Sequence, residues 1–214
     1  MNLLLAGGTG LVGNELLTLC LAGTHHVTSV GRRPTGRASR EIVSGFSELP
    51  LLPTADAAVC TLGTTIRQAG SREAFREVDY AAVLSFAAAA RAADIEHFMV
   101  VTAVGAQPDA SVFYSRVKGE LERDLQKMGF SRLDILRPGL LIGARKASRP
   151  LEAFLQHIAP IADRIMLGAW RRYRSIEARA LAHCLLALAS QQTPGIFIHH
   201  YDEMSALLSG MDYH

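Results

Sequence analysis

Apolar positions along this chain recur with two periods, short continuous runs and helical stripes, and the two take turns. Asn2 to Ala6 is an apolar run that enters a glycine-rich turn, Gly7-Gly8-Thr9-Gly10-Leu11-Val12-Gly13. Leu11, Leu16, Leu17 and Leu19 then mark one face of a helix. His26 to Gly31 predicts a second strand, followed by the turn-rich Arg32-Arg33-Pro34-Thr35-Gly36. Glu41 to Val43 predicts a weak third strand and Ala57 to Leu62 a fourth. Ser71 is placed to cap a long alanine-rich helix reaching about Ala93, with Glu73 and Glu77 favourable in its N-terminal half. His97 to Thr102 is almost wholly apolar, as a strand covered on both faces requires. A loop to about Ala110 leads into a helix from Phe113 to Met128 that Gly129 ends. Leu133 to Leu136 predicts a sixth strand, stopped by Arg137-Pro138-Gly139.

Strands alternating with helices in this way predict an α/β fold, a doubly wound parallel sheet joined by right-handed crossovers. The pattern changes at Pro150: helical periodicity from Leu151 to Ile165 is interrupted by Pro160, Ile176 to Ser190 reads as a helix, and Ile196 to Ile198 as a short last strand. No linker or internal repeat divides the 214 residues. The expectation is one domain, with residues 1–143 as its core and 144–214 as a small cap and final helices over the open strand ends.

A hydrophobic content of 49% rules out a disordered chain. The formal charge of +2 gives no global reason to expect nucleic acid or an anionic membrane as partner. The longest apolar run, Ala81 to Ala90, is too short to span a bilayer, and the N-terminus does not read as a signal peptide. Trp170-Arg171-Arg172-Tyr173-Arg174 interleaves basic and aromatic residues and reads as a solvated edge or a phosphate-facing patch. Cys20, Cys60 and Cys184 are isolated in apolar surroundings, which predicts reduced core thiols and a cytoplasmic protein. Neither they nor the adjacent pairs His25-His26 and His199-His200 have a metal-ligand spacing, so no metal is expected.

The glycine turn carries the first chemistry. Its spacing reads as Gly7-x-x-Gly10-x-x-Gly13 and as Gly8-x-Gly10-x-x-Gly13, between a strand and a helix. There the early glycines allow a tight reversal, Gly10 admits a pyrophosphate to the backbone, and Gly13 lets helix and strand pack closely. With Thr9, Leu11 and Val12 these residues form the predicted dinucleotide cradle, its phosphates facing the N–H groups of the helix start. Where NAD-binding folds commonly place an acidic residue, at the end of the second strand, this chain has Arg32 and Arg33. Guanidinium groups suit a ribose 2′-phosphate, so the predicted cofactor is NADP(H).

Tyr114 and Lys118, four residues apart, lie on one helix face. An ammonium beside a phenol favours phenolate, lowering the tyrosine pKa toward a value useful in acid–base catalysis. Lys118 can also bond the nicotinamide ribose. Cys60, inside a predicted buried strand, reads as a structural thiol.

Taken together the motifs resemble the short-chain dehydrogenase/reductase superfamily over about Met1 to Gly143. They resemble most the atypical NADP-binding members typified by the Tat-interacting protein oxidoreductases. Cys60-Thr61-Leu62-Gly63-Thr64-Thr65, Val78-Asp79-Tyr80, Gly105-Ala106, Tyr114 with Lys118-Gly119-Glu120, and Arg137-Pro138-Gly139 carry the likeness. It implies a Rossmann fold in which Leu62, Gly63 and Thr64 line the adenosine and ribose side of the cofactor. Pro138, Gly139 and Leu140 would lie beside the nicotinamide. The superfamily usually has a serine after strand five to polarise the substrate carbonyl; here the stretch is Val101-Thr102-Ala103-Val104-Gly105. Thr102 supplies that hydroxyl if its side chain points into the site; otherwise Ala103 occupies the place, with Ser111 as a fallback donor.

The expected function is NADP-dependent hydride transfer to or from a small carbonyl or alcohol substrate, with Tyr114, Lys118 and Thr102 as the catalytic set. A cofactor-binding regulatory protein with little turnover is the alternative, and isomerisation through transient hydride transfer would use the same residues. Arg145, Lys146 and Arg149 read as a solvated basic loop or an attraction for an anionic substrate. A homodimer or a regulatory protein partner is compatible with this reading.

Overall fold

The computed structural model describes residues 1–143 and 168–210. The predicted helix Leu151 to Ile165 and the residues Arg145, Lys146 and Arg149 lie outside them. Seven parallel strands form the main sheet: β1 (Asn2–Ala6), β2 (His26–Gly31), β3 (Arg40–Val43), β4 (Ala57–Cys60), β5 (His97–Val101), β6 (Arg132–Leu136) and β9 (Gly195–His199). Their order is β3-β2-β1-β4-β5-β6-β9. The direction of winding reverses between β1 and β4, which opens a crevice at the carboxyl ends of those strands. A two-stranded parallel sheet, β7 (Leu141–Ile142) with β8 (Ile176–Glu177), lies beyond β6.

Strand alternation sends side chains into two cores. Leu3, Leu5, Val59 and Met99 join one cluster with Leu16 and Leu17 of α1 (Leu11–Ala22) and with Leu181 and Leu185 of α6 (Ala178–Ala189). Leu4, Ala6, Ala58, Phe98 and Val100 join the other, beneath Val83 and Phe86 of α4 (Ala82–Ala92) and Leu121 and Leu125 of α5 (Phe113–Leu125). The buried stripe of α1 is Val12, Gly13, Leu16, Leu17 and Cys20, so Leu11 and Leu19, expected on it, lie at its margin.

Two elements differ from the sequence expectation. The long alanine-rich helix begins as predicted, with Ser71 Oγ accepting from Ala74 N at 3.0 Å, but it is not uniform. It runs as α3 (Arg72–Arg76), one π turn (Glu77–Ala81) and α4, preceded by an unforeseen short helix α2 (Ile66–Ala69). Nor do residues 168–210 stand apart as a cap. α6 packs on α1, and β9 pairs with β6 and extends the main sheet, with α7 (Tyr201–Ser209) following it. The short strand was legible in the sequence, but its partner lies some sixty residues away and no local signal names it.

One acidic group is set in the sheet itself. Asp134 of β6 is fully buried and accepts from His97 Nε2 and His199 Nε2, each at 2.7 Å, and from Arg132 Nε at 2.6 Å and Nη2 at 2.9 Å. Burial pushes this carboxyl up, but the donors from His199, His97 and Arg132 outweigh it and hold the group well below the usual carboxylate range.

Candidate active site

The turn after β1 is shaped by contacts that only glycine tolerates. Gly7 has φ +89°, and a Cβ there would lie 2.6 Å from Thr61 Oγ1. A Cβ on Gly13 would lie 2.2 Å from Gly7 O, so the helix start rests directly on the turn. Gly10 N donates to Gly7 O at 2.9 Å and closes the reversal. Thr61 Oγ1, after β4, lies 3.1 Å from Ala6 O and 3.2 Å from Gly7 O and ties the turn to the neighbouring strand. No side chain caps α1 and no acidic residue stands in its first turn, so its N–H groups and the positive end of its dipole are left for an anion.

A cleft of about 380 Å³ opens from this turn across the carboxyl ends of β4, β5 and β6. Gly10, Leu11 and Val12 line it from the turn and the start of α1, Leu62, Gly63 and Thr64 from the loop after β4, Tyr114 and Lys118 from α5, and Pro138, Gly139 and Leu140 from the chain after β6. Of the predicted cradle, Gly7, Thr9 and Gly13 lie outside its lining: Gly13 is buried beneath the turn and Thr9 faces outward. Arg32 and Arg33 sit at the end of β2, exposed and without a hydrogen-bond or ion-pair partner among the described residues. Glu41 of β3 turns its carboxylate to this loop, where it accepts from Thr35 N at 3.1 Å and from Thr35 Oγ1 and Ala38 N.

Tyr114 and Lys118 reach the cleft because of two further glycine contacts. A Cβ on Gly119 would lie 2.1 Å from Gln107 C, so the β5–α5 loop crosses α5 there and leaves its other face to the cleft. A Cβ on Gly139 would lie 2.5 Å from Tyr173 O, so the chain before β8 crosses the β6 loop at that point. The Tyr114 ring packs on buried Phe75 at a centroid distance of 5.4 Å. Lys118 is buried, and its Nζ lies 2.7 Å from Asp79 Oδ1 in the π turn; Asp79 Oδ2 accepts from Thr64 N at 2.8 Å. Burial raises the Asp79 pKa, against the pull of Lys118 and the Thr64 amide.

Lys118 does pull the Tyr114 pKa down, as expected, but not below its ordinary value: burial, the largest influence, pushes the phenol up, Lys118 opposes it, and Asp79 adds a smaller rise. The linear pattern shows the lysine four residues away and not the carboxylate that answers it.

Thr102 meets a different partner from the one expected. Its side chain points inward, and Oγ1 donates to Glu122 Oε1 at 2.6 Å. Glu122 is itself paired with Arg137, whose Nε lies 3.1 Å from both carboxylate oxygens. The single hydroxyl hydrogen of Thr102 is thereby committed to a carboxylate, Ala103 lines the cleft beside it, and the fallback Ser111 is exposed and outside the lining. The basic aromatic stretch after residue 169 is largely self-engaged: Arg171 pairs with Asp202 at 3.0 Å, while Arg172 and Arg174 lie over the rings of Tyr173 and Tyr201.

Asp79, Thr61, Glu122 and Arg137 are the site residues whose roles the sequence did not disclose. Asp79 and Arg137 lie within recognised motifs, but their partners are fifteen to thirty-nine positions away. Cys60 is buried at the end of β4, its thiol pushed by burial up to about 12, in agreement with a structural role.

Among known proteins, the HIM1 family model matches residues 18–167. The chain is 33% identical to the protein fmp52, mitochondrial, of Aspergillus fumigatus over an alignment of 213 positions covering 91% of each. It is 36% identical to FMP52-1, mitochondrial, of Scheffersomyces stipitis over 162 positions, 71% of this chain and 72% of the relative. The mitochondrial naming of these relatives overturns the expected cytoplasmic location; buried free thiols mark a reducing environment without telling one compartment from another. Among solved structures, MoeE5 in complex with UDP-glucose and NAD superposes with a TM-score of 0.71 at 17% identity, covering 98% of this chain and 82% of that one. Human epimerase family protein SDR39U1 with NADPH superposes with a TM-score of 0.64 at 22% identity, covering 97% and 80%. At such identities the likeness establishes the fold alone, a Rossmann-like α/β sheet. The extent of the family match and of the two alignments, on this fold, shows that the chain belongs to the HIM1 family.

Proposed function

We propose that the protein is an NADP(H)-dependent oxidoreductase that moves hydride between the nicotinamide and a carbonyl or alcohol carbon of a small substrate. The observation that carries this reading is the convergence, in one cleft, of a glycine turn that a Cβ would fill with the pair Tyr114 and Lys118. The glycine cradle and the uncapped start of α1 fit a pyrophosphate. Arg32 and Arg33 fit a ribose 2′-phosphate, which supports NADP over NAD. Leu62, Gly63 and Thr64 would hold the adenosine side, and Pro138, Gly139 and Leu140 the nicotinamide side. When bound, the cofactor supplies or accepts the hydride. Tyr114 donates its phenolic proton to the substrate oxygen in the reducing direction and recovers it in the oxidising one, while Lys118 orients ribose hydroxyls. The resemblance of its sequence motifs to the Tat-interacting oxidoreductases, and solved neighbours named with NAD and NADPH, support the same reading.

NADPH oxidation across a panel of aldehydes and ketones tests it. Tyr114→Phe is expected to lower turnover by about a hundredfold or more with NADPH affinity unchanged. Unchanged turnover in that variant would refute the mechanism. The commitment of the Thr102 hydrogen to Glu122, with Ala103 beside it, favours a second reading, an NADPH-binding regulatory protein acting on a protein partner. It predicts NADPH binding without consumption across the whole panel.

A further inference from the structure

The helix running from Arg72 to Ala92 is α-helical at both ends and passes through one π turn, Glu77–Ala81, whose central residue is Asp79. A π turn inserts a residue into the helical ladder and is frequent at functional sites. Here it sets a buried carboxylate between two parts of the cleft. One oxygen faces Lys118 Nζ at 2.7 Å and the other accepts from Thr64 N at 2.8 Å. Gly63 borders both groups: a Cβ there would stand in ordinary contact, 3.5 Å from Asp79 Oδ1 and 4.0 Å from Lys118 Nζ.

We infer that Asp79 is a positioning residue, which clamps Lys118 and the 61–64 loop and offsets part of the lysine charge that Tyr114 faces. This rests on the reading of Tyr114 as the proton-transferring group. Its consequence is a phenol kept in its neutral, donating form, which suits proton delivery to a carbonyl oxygen during reduction. The charged and titratable groups acting here are Lys118 from α5, Asp79 from the π turn and Cys60 at the end of β4, whose buried thiol stays neutral. Thr64 contributes a backbone amide. An ion pair serving only stability would leave the ionisation of Tyr114 unmoved when Asp79 loses its charge.

The test is a pH titration of tyrosinate absorbance, with the Tyr114 signal isolated by subtracting the Tyr114→Phe counterpart of each protein. Asp79→Asn keeps an acceptor for Thr64 N and removes the charge. It is expected to move the Tyr114 midpoint down by about one pH unit, a tenfold rise in phenolate at a given pH. Asp79→Ala, which also releases the loop, should bind NADPH about tenfold more weakly than Asp79→Asn. Asp79→Glu, which restores the charge, should bring the midpoint back toward that of the parent. An unmoved midpoint in a folded Asp79→Asn protein overturns the inference. Should that variant not fold, Lys118→Met and Lys118→Met/Asp79→Asn carry the same test without a lone buried lysine. The first should titrate Tyr114 higher than the second, and equal midpoints overturn the inference. The titration needs neither substrate nor cofactor: failure to bind NADPH with the midpoint shifted would refute the proposed function and leave the role of Asp79 standing.

Discussion

Alanine at Gly10 and at Gly13 should separate nucleotide binding from folding, because the two glycines are required for different contacts. At Gly13 the new Cβ would lie 2.2 Å from Gly7 O and 2.8 Å from Thr61 Oγ1, a backbone oxygen and a side chain already bonded to the turn. That is about 1 Å short of an ordinary C···O contact, so α1 must lift from the turn and carry Val12, Leu16, Leu17 and Cys20 with it. Overpacking of this kind costs about 1–3 kcal/mol, offset by about 1 kcal/mol from replacing a helical glycine. With the clash on backbone the upper figure applies, and a net loss of about 2 kcal/mol is expected. At Gly10 the Cβ would meet only Gly7 O, at 3.1 Å, and φ −79° suits any residue. The stability cost there is below about 1 kcal/mol, that of a poorer N-cap. Gly10 lines the cleft where the pyrophosphate approaches the backbone, and its methyl group should still weaken NADPH binding by at least about tenfold. Urea unfolding and fluorescence titration with NADPH read the two effects separately. Equal destabilisation by both substitutions, or parental NADPH affinity in Gly10→Ala, would refute this division of roles.

Asp134→Asn is expected to cost about 3–5 kcal/mol, because it leaves buried Arg132 without its counter-charge; chemical denaturation measures the loss. The folded Asp134 pKa is depressed, so its contribution is complete above the unfolded value of about 3.9 and is lost as pH falls from there toward the folded one. The acid side of a stability profile should therefore be flatter in the variant, and parallel profiles would contradict the assignment. Burial pushes the thiols of Cys60 and Cys184 up to about 12 and that of Cys20 to about 11, so native protein should resist alkylation at pH 8 and take up three adducts only when unfolded. Mass spectrometry counts them, and rapid labelling of the native protein at any of the three would contradict their burial.

Local signals carried most of the fold. Asn2 to Ala6 and the glycine turn were legible because a strand followed by a strained reversal restricts residue choice at Gly7 and Gly13. The Ser71 cap and the Gly129 stop were legible for the same reason. The π turn was not, since its alanine-rich surroundings suit an α-helix equally well and the insertion answers a tertiary demand, the seating of Asp79 against Lys118. The place of β9 beside β6 was equally hidden, because strand pairing depends on distant partners. At the site, Tyr114 and Lys118 were found by their helical spacing. The partners that engage the site's side chains, Asp79 for Lys118 and Glu122 for Thr102, come from other elements or another turn of α5, and spacing alone does not disclose them.

The most direct test of the account is equilibrium binding of NADPH and NADH to the purified protein at moderate salt, with Arg32→Ala and Arg33→Ala measured alongside. The account predicts tighter binding of NADPH than of NADH, with that preference reduced by about tenfold or more in at least one arginine variant. Binding of neither nucleotide would contradict the oxidoreductase assignment at its root, and a preference for NADPH untouched by both substitutions would contradict the placing of the 2′-phosphate at the end of β2.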